Sequence, residues 1–253
     1  MMKRWKAGVS MLMAAAMIMG NISAAVPVKA EPAAGLLVNG GFEEENLNGW
    51  IKNDWCMSGG AAMERVDGST IQPAEGNYCL KEEPAQFGSQ VTQDIALTAG
   101  KDYWLTAQIY QTVSGSYSIG FHENEGKNGD PQFSIEPQSE VGQWVKVAVR
   151  FTMWENAQKP NLYTWLNAQS GTAYADDIKL YEAPNLSSLE EQIANAREKL
   201  GQTDVYTEDS LAALREKTDE AETYTDAHSY GAAQKTQEDV SAMAGELETA
   251  VSS

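Results

Sequence analysis

The sequence predicts a mainly β protein: a two-sheet antiparallel β-sandwich followed by a small three-helix bundle. Between Leu36 and Tyr181, short runs alternate apolar and polar residues and are separated by Gly, Asn, Asp, Ser and Pro clusters, which is the two-residue period of strands. After Pro184 the apolar residues are spaced three and four apart, as in amphipathic helices. The two periods place the sandwich at residues 36–183 and the bundle at residues 184–253.

The N-terminal residues have the features of a signal peptide. Three basic residues precede the apolar run 11–19, and Val28-Lys29-Ala30 has small residues at the two cleavage positions. The run is shorter than the roughly 20 residues that a membrane-spanning helix needs. We therefore expect residues 1–30 to be removed, residues 31–35 to be a short linker, and the protein to be secreted or displayed on the cell surface.

The charge of the chain limits its partners. It contains 36 acidic and 18 basic residues. A surface of this sign repels phosphate backbones and anionic lipids, so nucleic acid and membrane insertion are disfavoured. Cys56 and Cys79 form either a disulfide, as an oxidising compartment permits, or two buried thiols that act as small hydrophobic residues.

Several strands of the sandwich alternate clearly. Apolar residues occupy every second position in segments 102–110, 144–152 and 162–167, and several such strands without helical periodicity between them indicate two packed antiparallel sheets. In the bundle, Ser187 and Glu190 predict a capping box for the first helix, which Gly201 ends. Thr207 predicts the start of the second helix, and a third is expected from about Gly231 to Val251.

Two regions resemble known extracellular modules. Leu37-Val-Asn-Gly-Gly-Phe-Glu43, with Gly49-Trp50 after it, resembles the first strand of carbohydrate-binding modules of families 4, 9, 16 and 22, and Thr172-Ala-Tyr-Ala-Asp-Asp-Ile-Lys-Leu-Tyr181 resembles their last strand. The resemblance covers residues 36–183 and implies a jelly-roll, galactose-binding-like sandwich that binds a polysaccharide or oligosaccharide. Residues 189–251 resemble the three-helix module known as "found in various architectures", which implies other modules of a carbohydrate-active system as partners.

The same resemblance implies a structural calcium ion. In such modules a carboxylate from each end of the chain binds the ion, and Glu43 and Asp177 occupy those positions. Calcium takes six to eight oxygen ligands, so backbone carbonyls or water would complete the set. The alternative is that Glu43 is a solvated charge and Asp177 accepts backbone hydrogen bonds. Asp176 alternates to the other side of the strand and is the weaker candidate.

Aromatic and polar residues on alternating strand positions predict a sugar-binding face. A pyranose stacks on flat aromatic rings while amides and charged groups bond its hydroxyls. If their three strands share one concave sheet, that face carries Trp104, Gln108, Tyr110, Lys146, Arg150, Tyr163, Trp165 and Asn167. The alternative is that these aromatics are core. Four further aromatics are expected in core or loop packing: Trp50, Trp55, Tyr103 and Trp144.

Catalytic machinery is not evident in the sequence. Glu123 and Glu125 have the spacing of a glycosidase pair, but the Gly, Asn and Asp that follow predict a loop, and His122 stands without a partner motif. We therefore expect a secreted, non-catalytic protein that targets a polysaccharide. The alternatives are a cell-surface adhesion or spacer protein without sugar binding, and an accessory chain of a β-sandwich polysaccharide lyase or hydrolase.

Overall fold

A computed structural model of the protein describes residues 35–123, 131–137, 139–168, 171–202, 206–229 and 234–252. The predicted signal peptide, most of the predicted linker, Glu125 and the expected start of the third bundle helix at Gly231 lie outside the described residues.

Ten strands and four helices follow one another in the described part of the chain. The strands are β1 (Ile51–Lys52), β2 (Ala62–Asp67), β3 (Tyr78–Glu83), β4 (Val91–Asp94), β5 (Asp102–Gln111), β6 (Tyr117–Glu123), β7 (Gln132–Ile135), β8 (Trp144–Thr152), β9 (Pro160–Leu166) and β10 (Ala173–Glu182). The helices are α1 (Asp54–Ser58), α2 (Ser187–Leu200), α3 (Glu208–Thr225) and α4 (Gln237–Ser252). A 3₁₀ turn at Ala227–Ser229 follows α3.

The strands form two antiparallel five-stranded sheets, which confirms the predicted sandwich. Sheet A has the order β1-β4-β9-β6-β7, and sheet B has the order β2-β3-β10-β5-β8. Alternate residues point between the sheets, as the period of two requires. On β5 the inward residues Tyr103, Leu105, Ala107 and Ile109 are at most 2 % exposed, and they join one core with inward residues of β6 and β9 such as Phe121 and Leu162.

The three helices α2, α3 and α4 pack together through the apolar positions that their spacing predicts. Leu189 and Ile193 of α2, Leu214 of α3 and Leu247 of α4 belong to one buried cluster. That cluster also contains Trp104 of sheet B, so the bundle lies against the outer face of sheet B. Among the described residues, none of the helices has the length and hydropathy to cross a bilayer.

Two local predictions differ from the structure. Helix α2 lacks the capping box expected from Ser187 and Glu190, because Leu186 takes the cap position and the side chain of Asn185 accepts from the Ser187 amide instead, at 2.9 Å. Cys56 and Cys79 are both buried free thiols, so the structure has the second of the two arrangements that the sequence left open.

Candidate functional site

The structure separates the residues predicted to share one sugar-binding face. Trp104, Gln108 and Tyr110 of β5 lie beside Lys146 and Arg150 of β8 on sheet B, in the register Trp104–Arg150 and Gln108–Lys146. The other three residues, Tyr163, Trp165 and Asn167, belong to β9 of sheet A or follow it directly. The expectation of one shared sheet is wrong, because β9 pairs with β4 and β6 rather than with β5 or β8.

Trp104 is core rather than surface. Its side chain is only 1 % exposed and packs with Ala183 and the buried faces of α2, α3 and α4. An indole covered by a helical bundle has no face open to a sugar ring. The structure therefore contradicts the expectation that Trp104 lies on an open face.

Charged residues of sheet B also contact the helical part. Arg150 forms an ion pair with Glu190 of α2, with Nη1 and Oε1 2.7 Å apart. The Lys146 ammonium donates to the carbonyl of His228 in the 3₁₀ turn. Both side chains that were expected to bond sugar hydroxyls thus bond the protein itself.

The far end of sheet B carries an aromatic cluster. The ring of Tyr110 meets those of Trp144 and Tyr174 edge-on, with centroids 5.8 and 5.7 Å away, and the Trp144 indole donates to the carbonyl of Gln72 at 2.9 Å. These edge-on contacts and the backbone hydrogen bond fix the three rings relative to one another.

Tyr163 and Trp165 lie on the outer face of sheet A, where they are half-buried. In the register, Tyr163 lies between Thr92 of β4 and Gly120 of β6, and Trp165 lies opposite Ser118. Because Thr92, Gly120 and Ser118 are small, the rings of Tyr163 and Trp165 are the largest side chains in this part of the face. Asn167 accepts from the Trp165 indole at 2.7 Å and thereby orients the ring.

A second pair of aromatics, missed in the sequence, lies next to Trp165. Trp55 of α1 is 56 % exposed and stacks on Phe87, with centroids 4.5 Å apart and planes inclined by 12°. Gly88, the next residue, lies so close to Trp165 that a Cβ there would be 3.0 Å from the indole ring. Trp55, Phe87, Tyr163 and Trp165 are called the aromatic face below.

Helix α1 is short, yet it is fixed at both ends. The Asn53 side chain caps it by accepting from the amides of Trp55 and Cys56, and donates to Gln90 at 2.8 Å. At the other end the Gln86 amide donates to the carbonyl of Gly59. The loop that precedes β4 therefore holds α1 with Trp55 turned outward and Cys56 turned inward, where it is fully buried.

The opposite end of the sheet A face is polar. The Asn161 side chain bonds Asp94 across the β4–β9 pair, and both line a cavity of about 440 Å³ with Gln158 and Lys159. His122 packs edge-on against Tyr163 with centroids 4.7 Å apart. Amide and carboxylate groups next to aromatic rings are the combination that recognises sugar hydroxyls.

Glu123 lies at the end of β6, not in the loop that the sequence predicted. Its carboxylate accepts from the Trp154 indole at 2.9 Å and from the amides of Gln158 and Lys159. Burial raises the pKa of Glu123, but these hydrogen bonds outweigh it and the net pKa is lowered. A carboxylate held ionised in this way does not suit the role of a general acid, which needs a raised pKa.

The predicted calcium ligands Glu43 and Asp177 line one cavity of about 250 Å³, together with Glu75, Asp176 and Lys179. Asp177 has a φ of +48° at the point where the β10–β5 register shifts. Burial and the carboxylate of Glu75 raise the pKa of Asp177 to about 6. The strained backbone thus directs a carboxylate into a cavity that already holds three others.

Protein donors engage both predicted calcium ligands. Glu43 Oε1 accepts from the amides of Asn77 and Tyr78 at 2.7 and 3.0 Å, and Asp177 Oδ1 lies 2.5 Å from the Lys179 ammonium. Within the described part of the chain, no three His, Cys, Asp or Glu side chains surround one ion position. The carboxylate oxygens of Glu43 and Asp177 have the right chemistry for calcium, but a cation there requires Lys179 to leave Asp177.

Comparisons with known structures return carbohydrate-binding domains among the similar folds. "Family 16 Carbohydrate Binding Module-2" is 25 % identical, with a TM-score of 0.44, and the match covers 58 % of this chain and 100 % of that one. The "CBM22-1 xylan-binding domain from Paenibacillus barcinonensis Xyn10C" is 14 % identical, with a TM-score of 0.43 and coverage of 60 % and 96 %. A comparison with curated proteins gives no match.

A family profile identifies the sandwich directly. The profile described as "Carbohydrate binding domain" matches residues 34–171, which is more than half of the chain. The match begins just before the first-strand motif and ends just before β10. The chain therefore belongs to the carbohydrate-binding domain family.

Proposed function

We propose that the protein is a secreted, non-catalytic carbohydrate-binding protein that holds a polysaccharide on the aromatic face of sheet A. The family supports carbohydrate binding. The choice of sheet rests on one observation. Trp55 is exposed and stacks on Phe87, and Gly88, the residue after Phe87, lies against Trp165, whereas the bundle covers Trp104 on sheet B.

The chemistry of the aromatic face suits a sugar polymer. Tyr163 and Trp165 lie two residues apart on one strand, which separates them by about 7 Å, so neighbouring sugar rings of one chain can reach both. Ser134 of β7 and Asp94 of β4 are exposed beside them and can bond hydroxyls. A row of rings edged by hydroxyl and carboxylate groups favours a chain laid along the sheet.

The non-catalytic and secreted parts of the proposal rest on separate observations. Glu123, one of the two carboxylates with glycosidase spacing, is occupied by three structural donors. Secretion rests on the basic, apolar and small-residue order of residues 1–30.

A structural calcium ion is a further part of the proposal. Glu43 and Asp177 would hold it, and its charge would offset the carboxylates of Glu75 and Asp176 in the same cavity. Lys179 supplies positive charge there through its ion pairs with Glu75 and Asp177. We expect calcium to displace this ammonium and to connect the first-strand segment with β10.

The proposed sugar site is tested by binding to insoluble polysaccharides and to hexasaccharides of β-1,4-linked glucose, xylose and mannose. We expect the full chain to bind at least one of them, and Trp165→Ala and Trp55→Ala each to weaken binding by about tenfold or more, the scale of an aromatic hot spot. Trp55→Ala removes an exposed ring and should therefore leave the fold intact. Isothermal titration and pull-down measure the loss.

Trp144→Ala is the matched control, because Trp144 is a partly exposed indole on the outer face of sheet B. It should leave binding unchanged. If the folded chain binds none of the polysaccharides, the spacer function replaces this proposal. If Trp144→Ala abolishes binding and Trp165→Ala does not, the site lies on sheet B.

A further inference from the structure

Glu82 places a carboxyl group inside the sandwich, directly behind the aromatic face. It is 0 % exposed and lies on β3 of sheet B, with its side chain pointing toward sheet A. A buried carboxyl group is costly unless it is neutral or strongly bonded, so its presence inside the sandwich calls for a reason.

The carboxyl group is connected to the loop that carries Phe87. The Ser89 hydroxyl donates to Glu82 Oε1 at 3.0 Å. Ser89 also exchanges two backbone hydrogen bonds with Leu166, each 2.9 Å long, at the end of β9. The loop backbone at Gly88 rests on the Trp165 ring. Glu82 thus bonds a residue that joins the Phe87 loop to the strand of Trp165.

The remaining surroundings of Glu82 also belong to elements of the aromatic face. The hydroxyls of Tyr117 on β6 and Thr164 on β9 are near enough to stabilise its ionised form. Thr164 lies between Tyr163 and Trp165 and accepts from the Val91 amide at 3.2 Å. The thiol of Cys56, which follows Trp55 in α1, lies near enough for the Glu82 charge to raise its pKa.

The titratable groups around Glu82 keep one charge state over the relevant pH range. Burial raises the pKa of Cys56 to about 11 and, with the Glu82 charge, that of Tyr117 well above 10. Burial also raises the pKa of Cys79, near Tyr117, to about 12. Among these groups Glu82 alone titrates in mild acid, because burial raises its pKa to about 6 against the opposing effect of three hydroxyls.

We infer that Glu82 is a positioning residue for the aromatic face, and that its neutral acid form seats the Phe87 loop against Trp165. The inference rests on the proposed sugar site. Ionisation of Glu82 favours arrangements in which the loop moves and the carboxylate reaches water. Sugar binding, which needs the seated arrangement, is then tighter in mild acid than at neutral pH.

Proton linkage makes the seated arrangement more favourable at low pH. Glu82 has a raised pKa when the loop is seated, so the seated arrangement binds the proton more tightly and is favoured below pH 6. The preference for the seated arrangement over the open one declines as the pH rises from about 4.5 to about 6, and it stays constant above pH 6. The change in affinity has a ceiling of about 30-fold, the ratio given by pKa values of 4.5 and about 6.

The test compares the pH profile of hexasaccharide affinity for the wild type and Glu82→Gln between pH 4.5 and 8. Gln keeps the size and the acceptor oxygen of Glu82 but cannot ionise. We expect the affinity of the wild type to fall by several-fold up to 30-fold over this range, and that of Glu82→Gln to stay constant. Ser89→Ala removes the connection and should flatten the profile at a weaker affinity. Equal profiles for wild type and Glu82→Gln overturn the inference.

His122→Gln is the control, because His122 is a titratable side chain in contact with Tyr163. If it alone flattens the profile, His122 and not Glu82 sets the pH dependence. Amide hydrogen exchange at Ser89 and Leu166 measures, without sugar, how firmly the Phe87 loop is held against β9. After correction for intrinsic rates, we expect protection to fall with pH in the wild type only. If no sugar binds, the proposed function fails, and exchange still decides whether Glu82 seats the loop.

Discussion

The outer faces of the two sheets carry similar residues and have different surroundings. Trp104 on sheet B and Trp165 on sheet A both lie on outward positions of strands with an apolar inner face. Trp104 is 1 % exposed beneath the bundle, whereas Trp165 is half-buried next to the loop of Phe87, on which the exposed Trp55 stacks. An outward aromatic is therefore a packing residue or a binding residue according to what the rest of the chain places over it.

The largest expected effect concerns Trp104. Replacing this buried indole with alanine should lower the free energy of unfolding by about 3–5 kcal/mol, because a large cavity opens between sheet B and the bundle. Urea unfolding followed by circular dichroism measures the change. A loss of stability below about 1 kcal/mol would contradict the assignment of Trp104 to packing, because a loss that small is typical of surface positions.

The second prediction concerns calcium, whose proposed ligand Asp177 lies on sheet B. If sheet B serves stability, calcium should raise the stability of the fold. An ion that binds only the folded chain at 100 times its dissociation constant adds about 2.7 kcal/mol. For a chain of this size that raises the melting temperature by roughly 5–10 °C. Differential scanning calorimetry with calcium and with a chelator measures it, and Asp177→Asn should remove the effect.

The variant Lys179→Gln distinguishes the effect of the Lys179 ammonium on Asp177 from that of the proposed calcium ion. Without calcium the variant should be less stable than the wild type, since the cavity then loses its ammonium. With calcium the two proteins should be equally stable. A calcium-independent melting temperature in the wild type contradicts the proposed ion.

The smallest expected effect concerns the ion pair between the two parts. Arg150 and Glu190 are both partly solvated, with 30 % and 43 % of their side chains exposed. Arg150→Ala should therefore cost at most about 1 kcal/mol of stability and leave sugar affinity unchanged. A clear loss of sugar affinity would show that Arg150 contacts the sugar, as its strand position predicted.

Much of the fold follows from local patterns. Alternation along segments 102–110, 144–152 and 162–167 correctly predicted strands and their inner faces, because a strand directs alternate side chains to opposite sides. Alternation does not say which strands are neighbours. The assignment of Trp104 and Trp165 to one sheet was wrong for that reason.

The candidate site shows the same division. Tyr163 and Trp165 were identifiable as outward aromatics, but Trp55 was assigned to core or loop packing. No periodic signal marks an exposed residue in a five-residue helix. Its position depends on Asn53 and Gln90 and on stacking with Phe87, 32 residues away in sequence. Glu82 gives no local signal either, since a Glu in a strand normally faces solvent.

The sequence by itself determined the periods, the division into sandwich and helices, and the last strand, because these depend on neighbouring residues. Segment 37–43, which resembles a first strand, forms bends and turns instead. The tertiary structure alone decided which sheet the bundle covers, which tryptophans stay accessible, and which carboxyl group lies behind them. Those outcomes depend on contacts between segments far apart in the chain, such as Trp104 with α2 to α4 and Glu82 with Ser89 and Thr164. Burial, and with it the pKa and the accessibility of a side chain, is a property of that assembled packing.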